Sequence, residues 1–173
     1  SIARAVAPIA QSLGMKVLVW APTKSAEELA AAGCARAQTL DELLGTSDIV
    51  SLHCPLIPET EKLIGKRELA LMKPSAFLIN TARGPIVDED ALVAALDEGI
   101  ASDGTRGICG AALDVLADET APNQALIAHP RCIVTPHCAY STQEAYGTVR
   151  RMSLQAVVDG LVFNRKPKHT VAE

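Results

Sequence analysis

Three polar side chains stand where runs of apolar residues end. Arg83 lies just past Ala76-Phe77-Leu78-Ile79, inside the stretch Asn80-Thr81-Ala82-Arg83-Gly84-Pro85-Ile86-Val87-Asp88. Glu119 lies five residues past Asp114, near the end of a second apolar run, and His137 follows Ile133-Val134-Thr135-Pro136. Each run reads as a buried strand, and in open α/β sheets ligands bind outside the carboxyl ends of the strands. Strand ends of one sheet converge whatever their separation in the chain, so the three side chains can share one site. A guanidinium grips a carboxylate through two parallel hydrogen bonds. An imidazole both gives and takes a proton near neutrality. A carboxylate beside the ring favours its protonated form and orients it. Together these groups meet the needs of interconverting an alcohol and a ketone next to a carboxylate. The hydride must then travel on a bound cofactor, because no side chain can carry it. Singly, each residue is better explained as structural or solvated; only the set points to chemistry.

The elements that must position these residues follow from periodicity and punctuation. Residues 2–13 read as an Ala-rich helix with Ala3, Val6, Ala10 and Leu13 on one face, closed by Gly14. Pro8 fits if that helix starts close to residue 4, so that the ring lies near the first turn. Residues 16–20 form a short strand. Ser25 caps the next helix, with Glu28 three residues on as in a capping box, and Gly33 ends it. Thr39 caps a short helix over residues 40–44. Residues 48–53 are a strand stopped by Pro55 and Pro58, and one or two short helices occupy residues 59–73. Residues 75–79 are a strand and 88–98 an amphipathic helix. Further strands fall at 109–115 and 132–135, a helical turn at 124–128, and a long helix at 142–163. Residues 100–106 are the one loop-like interruption, polar and Gly-containing. Strands that alternate with helices argue for a parallel, doubly wound α/β sheet. Residues 1–163 read as one domain and residues 164–173 as a polar tail.

Composition agrees. The chain has 173 residues, 49% of them apolar, which suffices for a full core and excludes a disordered chain. The apolar mass is aliphatic, with only two Phe, two Tyr and one Trp, as parallel strands under Ala-rich helices require. The net charge of -4 and the lack of a basic cluster leave no electrostatic footprint for nucleic acid. No apolar run approaches the roughly 20 residues that span a bilayer, and no secretory signal is read. Cys34, Cys54, Cys109, Cys132 and Cys138 include no Cys-x-x-Cys pair, so no metal site and no disulfide scaffold is expected. Buried free thiols fit a reducing, cytoplasmic setting. His53 reads as a packing residue at a strand end, and His129 and His169 as solvated.

The chain resembles the nucleotide-binding domain of the D-isomer-specific 2-hydroxyacid dehydrogenases over almost all of its length. The resemblance rests on Gly14-Met15-Lys16-Val17, on Asp48-Ile49-Val50-Ser51-Leu52-His53 with Pro55, and on Leu71-Met72-Lys73-Pro74. It continues through Asn80-Thr81-Ala82-Arg83-Gly84, Gly110-Ala111-Ala112-Leu113-Asp114-Val115 and Thr135-Pro136-His137. It implies a Rossmann-type fold and hydride exchange between NAD or NADP and a small 2-oxo or 2-hydroxy acid, of the glyoxylate or hydroxypyruvate type. Arg83 matches the residue that binds the substrate carboxylate and carbonyl, His137 the acid/base, and Glu119 its carboxylate partner. Asp114 matches the residue near the nicotinamide carboxamide. Cys54, Pro55, Thr60, Thr81 and Ala82 match positions that line the cofactor. Ser1 and Ile2 match the two residues after the second Gly of the Gly-x-Gly-x-x-Gly turn. The resemblance also implies a homodimer, paired through segments such as 59–73 and the helix after Pro122.

The departures from the family pattern are specific. The chain starts inside a helix and after the first two glycines of the turn, so it reads as an N-terminally truncated fragment. Ala3 stands at the third Gly. Ala21 replaces the acidic residue expected at the end of the second strand, so the ribose hydroxyls lose an acceptor and a 2′-phosphate is no longer repelled. Thr23, Lys24 and Ser25 are candidates to hold such a phosphate, which opens NADP use. Residues 100–106 read as an insertion that leaves Asp114 and Glu119 in place only if it forms a loop. Thr120 stands where a Pro usually follows the Glu, and Tyr140 replaces a common Gly. A second reading therefore stands beside the enzyme: a catalytically incomplete dinucleotide-binding module, or an interaction protein like the C-terminal binding protein corepressors.

Overall fold

The structure is a computed structural model that describes residues 2–166. Ser1, His169 and all but the first three residues of the expected tail lie outside the described residues. The chain divides into two compact units, Ser1–His137 and Cys138–Glu173.

The first unit carries six parallel strands in two sheets. Strands β1 (Leu18–Val19) and β2 (Ala35–Arg36) pair with each other. Strands β3 (Ile49–Leu52), β4 (Phe77–Asn80), β5 (Gly110–Leu113) and β6 (Cys132–Val134) form the second sheet in that order. All pairings are parallel, as the alternation of strand and helix predicts. Strand β2 is a correction to the sequence reading, which passed over it. Two residues are too short for any period to show, and only the partner β1 makes them a strand.

Register puts Val50, Leu78 and Ala111 side by side on one face of the large sheet, and Leu52, Asn80 and Leu113 one pleat further on. All six are buried. The core lies on this face. Leu44 from α3 (Leu40–Thr46), Leu69 from α4 (Lys66–Leu71) and Leu92 and Leu96 from α5 (Glu89–Ala101) fill it, with Leu126 from α6 (Gln124–Ile127). The opposite face carries Ile49, Phe77 and Ile133, which remain 45%, 45% and 68% exposed. That asymmetry is why β3 and β4 alternate between buried and exposed residues instead of reading as continuous buried runs.

Helix ends follow their side chains. Ser25 Oγ accepts from the Glu28 N–H at 3.1 Å while Glu28 accepts from the Ser25 N–H at 3.0 Å, so the predicted capping box starts α2 (Ala26–Ala31). Thr39 caps α3 by accepting from the Glu42 N–H, while the Glu42 carboxylate accepts from the Gln38 N–H. Helix α1 (Ile2–Ser12) differs from expectation: it begins before residue 4, and Pro8 lies within it, where it offers the Arg4 carbonyl no N–H. Residues 100–106 also differ. Ile100 and Ala101 extend α5, and the loop begins only at Ser102, whose side chain accepts from the Arg106 N–H and donates to the Arg106 carbonyl. The interruption thus closes on itself, and β5 stays in step with β4 from Phe77↔Gly110 to Asn80↔Leu113.

The second unit holds α7 (Gln143–Leu161), capped by Thr142, whose side chain accepts from the Ala145 N–H. No helix among the described residues is long and apolar enough to cross a membrane.

Asp88 caps α5 through the Ala91 N–H and pairs with Lys62 at 3.1 Å. The backbone hydrogen bond first, and Lys62 second, hold its carboxyl below the ordinary value. A depressed folded pKa contributes stability above the unfolded pKa, and that stability is lost as pH falls through the folded value. Asp88→Asn should therefore lower stability most near neutrality. In urea melts the gap from the wild type should close as pH drops below the ordinary Asp value of 3.8; a gap independent of pH from 7 to 3 would contradict this account.

Candidate functional site

Arg83 is held by the end of β4. The buried Asn80 side chain donates to the Arg83 carbonyl at 2.9 Å and accepts from the Ala82 N–H at 3.0 Å. This closes the chain into a tight turn directly after the strand. Gly84 follows, and a Cβ there would lie 2.0 Å from the carbonyl carbon of Leu116 and 2.4 Å from the Ala117 nitrogen. Only glycine permits that approach. The turn bearing Arg83 is thus pressed against the segment that leads from β5 to Glu119. The Arg83 guanidinium is exposed, and Nη1 donates to the Ala82 carbonyl at 2.6 Å.

The segment after β5 is fixed by three groups far apart in sequence. Asp114 is buried; its N–H donates to the Asn80 carbonyl at 2.9 Å, and its carboxylate accepts from the Thr135 hydroxyl at 2.5 Å. The Glu89 carboxylate, in the first turn of α5, accepts from the Ala117 N–H at 2.6 Å. Asp118 accepts from the N–H groups of Thr120 and Ala121 and from the Thr120 hydroxyl. Those bonds stabilise its carboxylate and lower its pKa, with the Thr120 hydroxyl the largest cause. Thr120 therefore makes by hydrogen bond the turn that a Pro would make by ring closure.

Glu119 and His137 meet. Glu119 Oε1 lies 2.8 Å from His137 Nδ1, with both side chains partly exposed. His137 has a φ of +50° and its N–H donates to the Thr135 carbonyl, a tight reversal right after β6. The structure therefore brings two of the three sequence-predicted residues into contact. Arg83 reaches the same region through the Gly84–Leu116 backbone contact and makes no ion pair with either.

The residues expected to line a cofactor are spread along the same ends of the strands. Thr81 and Ala82 are half-buried beside Arg83. Thr60 donates its hydroxyl to the Pro55 and Ile57 carbonyls and accepts from the Ile57 N–H, so it shapes the loop that holds Cys54 and Pro55. Burial pushes the Cys54 thiol up, and it pushes His53 down, toward the neutral ring, which lies 3.0 Å from the Ser51 hydroxyl. Cys132 is pushed up to about 11 by burial and by Glu89. Ile2 is exposed on α1, and Ser1 lies outside the described residues. Ala21 lines a pocket at the carboxyl ends of β1 and β2 with Trp20, Pro22, Arg36, Ala37 and Gln38. Lys24 is engaged by Glu28 at 3.0 Å and the Ser25 hydroxyl by its capping bond. His129 is a correction: it is buried, not solvated, and its ring accepts from the Arg131 N–H and meets Asp97 at 3.3 Å. Asn80 and Gly84 entered the sequence reading only as members of the Arg83 motif, and Glu89, Asp118 and Arg36 had no role of their own there. Asp118-x-Thr120 carried a readable turn signal; the others reveal themselves only through partners distant in the chain.

Residues 1–139 match the family model described as D-isomer specific 2-hydroxyacid dehydrogenase, NAD binding domain. Among characterised proteins, the chain is 39% identical to a hydroxypyruvate reductase of Blautia hydrogenotrophica, over 83% of this chain and 42% of that protein. It is 41% identical to a glyoxylate reductase of Thermococcus litoralis, over 83% of this chain and 41% of that one. The solved D-lactate dehydrogenase with NAD+ from Lactobacillus jensenii superposes with a TM-score of 0.85 and 34% identity, covering 98% of this chain and 52% of that one. The chain spans less than half the length of these two reductases.

Gly84→Ala should force the Arg83 turn and the Leu116–Ala117 segment apart. An overpacked backbone contact costs about 1–3 kcal/mol or more. The urea midpoint should fall, and the Ala117 amide should lose protection in hydrogen exchange. An unchanged midpoint with Ala117 still protected would mean that the contact is not a constraint.

Proposed function

Because the chain belongs to the D-isomer-specific 2-hydroxyacid dehydrogenase family, matching its NAD-binding domain, we propose that it is the cofactor half of an NAD(P)-dependent oxidoreductase acting on the CH–OH group of small 2-hydroxy acids. Its substrates in the reducing direction are 2-oxo acids of the glyoxylate or hydroxypyruvate type, the compounds named for its relatives. The observation that carries the reading is the 2.8 Å contact between Glu119 and His137, beside the turn that presents Arg83.

In this proposal Arg83 holds the substrate carboxylate with two parallel N–H donors and polarises the neighbouring carbonyl. His137 gives a proton to the oxygen that becomes the hydroxyl, and takes it back in the reverse direction. Nδ1 faces Glu119, so Nε2 is the ring atom that exchanges this proton. Glu119 keeps the ring oriented and stabilises the imidazolium. Asp114, Cys54, Pro55, Thr60, Thr81 and Ala82 border the cofactor, with Ser1 and Ile2 beside its pyrophosphate. The pocket at the ends of β1 and β2 takes the adenosine end, where Ala21, Thr23 and Lys24 belong to the site. The bound nicotinamide supplies or accepts the hydride. Use of NADP as well as NAD follows from the missing acid at Ala21. Residues 1–163 act as one nucleotide-binding region of a cytoplasmic, homodimeric enzyme.

The span of less than half the relatives' length favours one other reading, a dinucleotide-binding module without turnover of its own. Fluorescence titration with NADH and NADPH, followed by assays of glyoxylate and hydroxypyruvate reduction, separates the two: binding with turnover supports the enzyme, binding without turnover the module. Where turnover is measured, Arg83→Ala should lower kcat and raise KM together, and full activity in that variant would remove Arg83 from the site. His137→Gln should lower kcat by roughly 10²–10⁴-fold with little change in KM, the scale of general acid–base catalysis.

A further inference from the structure

We propose that Arg36, on β2, selects a 2′-phosphorylated adenosine, so that this chain prefers NADP(H) to NAD(H). The inference rests on the reading of this domain as a dinucleotide site and concerns the end of that site farthest from the chemistry.

The pocket at the carboxyl ends of β1 and β2 has no carboxylate in its lining. A ribose diol is a pair of hydrogen-bond donors and needs an acceptor; Ala21 offers no side-chain oxygen. A phosphate on the 2′ oxygen reverses the demand, from an acceptor to a cation and further donors. Two of the three candidates in the loop after β1 are committed elsewhere. Lys24 is paired with Glu28 at 3.0 Å, and the Ser25 hydroxyl is the cap of α2. The pocket instead draws its cation from the neighbouring strand. Arg36 is the register partner of Val19, two residues before Ala21, and it lines the same pocket. Glu27 feels its positive charge, as the last of the causes that lower the Glu27 carboxyl, but no ion pair among the described residues engages the guanidinium. A planar guanidinium suits a phosphate better than a lysine does, because it presents parallel donors in a fixed fork. Gln38 adds an amide to the same rim, and half-buried Trp20 offers an apolar face to a purine.

Trp20 is the single tryptophan of the chain and lines the pocket, so its emission reports binding directly. The test titrates the purified chain with adenosine 2′,5′-bisphosphate and with adenosine 5′-monophosphate, following Trp20 fluorescence and calorimetric heat. Neither probe needs the nicotinamide or turnover. The bisphosphate should bind at least roughly tenfold tighter, as one charge-assisted hydrogen bond would give. Arg36→Gln should abolish that preference, while Lys66→Gln, on α4 and outside the pocket lining, keeps it. Ala21→Asp should reverse it, which remains decisive if Arg36→Gln fails to fold. Equal affinity of the wild type for the two probes, or a preference that survives Arg36→Gln, overturns the inference and leaves the dinucleotide reading standing. Absence of any signal from either probe at millimolar concentration overturns both.

Discussion

The approach of Gly84 to the backbone of Leu116 and Ala117 is the contact on which the candidate site depends. It joins the turn after β4 to the segment after β5 at a separation that admits no side chain. Arg83 precedes the glycine by one residue and Glu119 follows Ala117 by two, so both functional groups inherit their placement from a backbone contact rather than from each other. A parallel sheet supplies the precondition. With β4 and β5 in register through Asn80↔Leu113, their exits leave the sheet at the same level.

Polar groups then hold what the glycine brings together. A turn pressed against another segment must still satisfy its backbone N–H and C=O groups. Asn80 does this for the Arg83 turn, Glu89 for Ala117, and Asp118 for the residues after Glu119. Each of these side chains serves a backbone group, and none of their bonds goes to Arg83, Glu119 or His137 side chains. Such support fixes where the guanidinium, carboxylate and imidazole start.

The two ends of the proposed dinucleotide site are built by different means. At the Arg83–Glu119–His137 end, long-range hydrogen bonds and a core on one face of the four-stranded sheet set positions. At the Ala21–Arg36 end, a pair of two-residue strands does so, and the decisive feature is the charge of one side chain. The first arrangement suits a reaction that tolerates little misplacement; the second can change selectivity through single substitutions without disturbing the core.

Much of this was legible in the sequence. Local signals suffice for a capping box at Ser25 and Glu28, for a cap at Thr39, and for apolar runs at β3, β4, β5 and β6. Their physics lies within a few residues. The motif around Arg83 and the Thr135-Pro136-His137 run likewise pointed to strand ends. Strand β2, the extension of α5 through Ala101, the burial of His129 and the passage of α1 through Pro8 were not legible. For β2 and His129, contacts with distant residues supply what local propensity lacks. The sequence by itself thus determined the α/β class, most element positions and the identity of the chemical groups. The resemblance implied that Glu119 pairs with His137, as the 2.8 Å contact has it; tertiary structure alone decided that Gly84 locks the Arg83 turn to Leu116 and that Arg36 shares a pocket with Ala21. The reason is that register and backbone contact are relations between segments separated by tens of residues, and no local pattern encodes them.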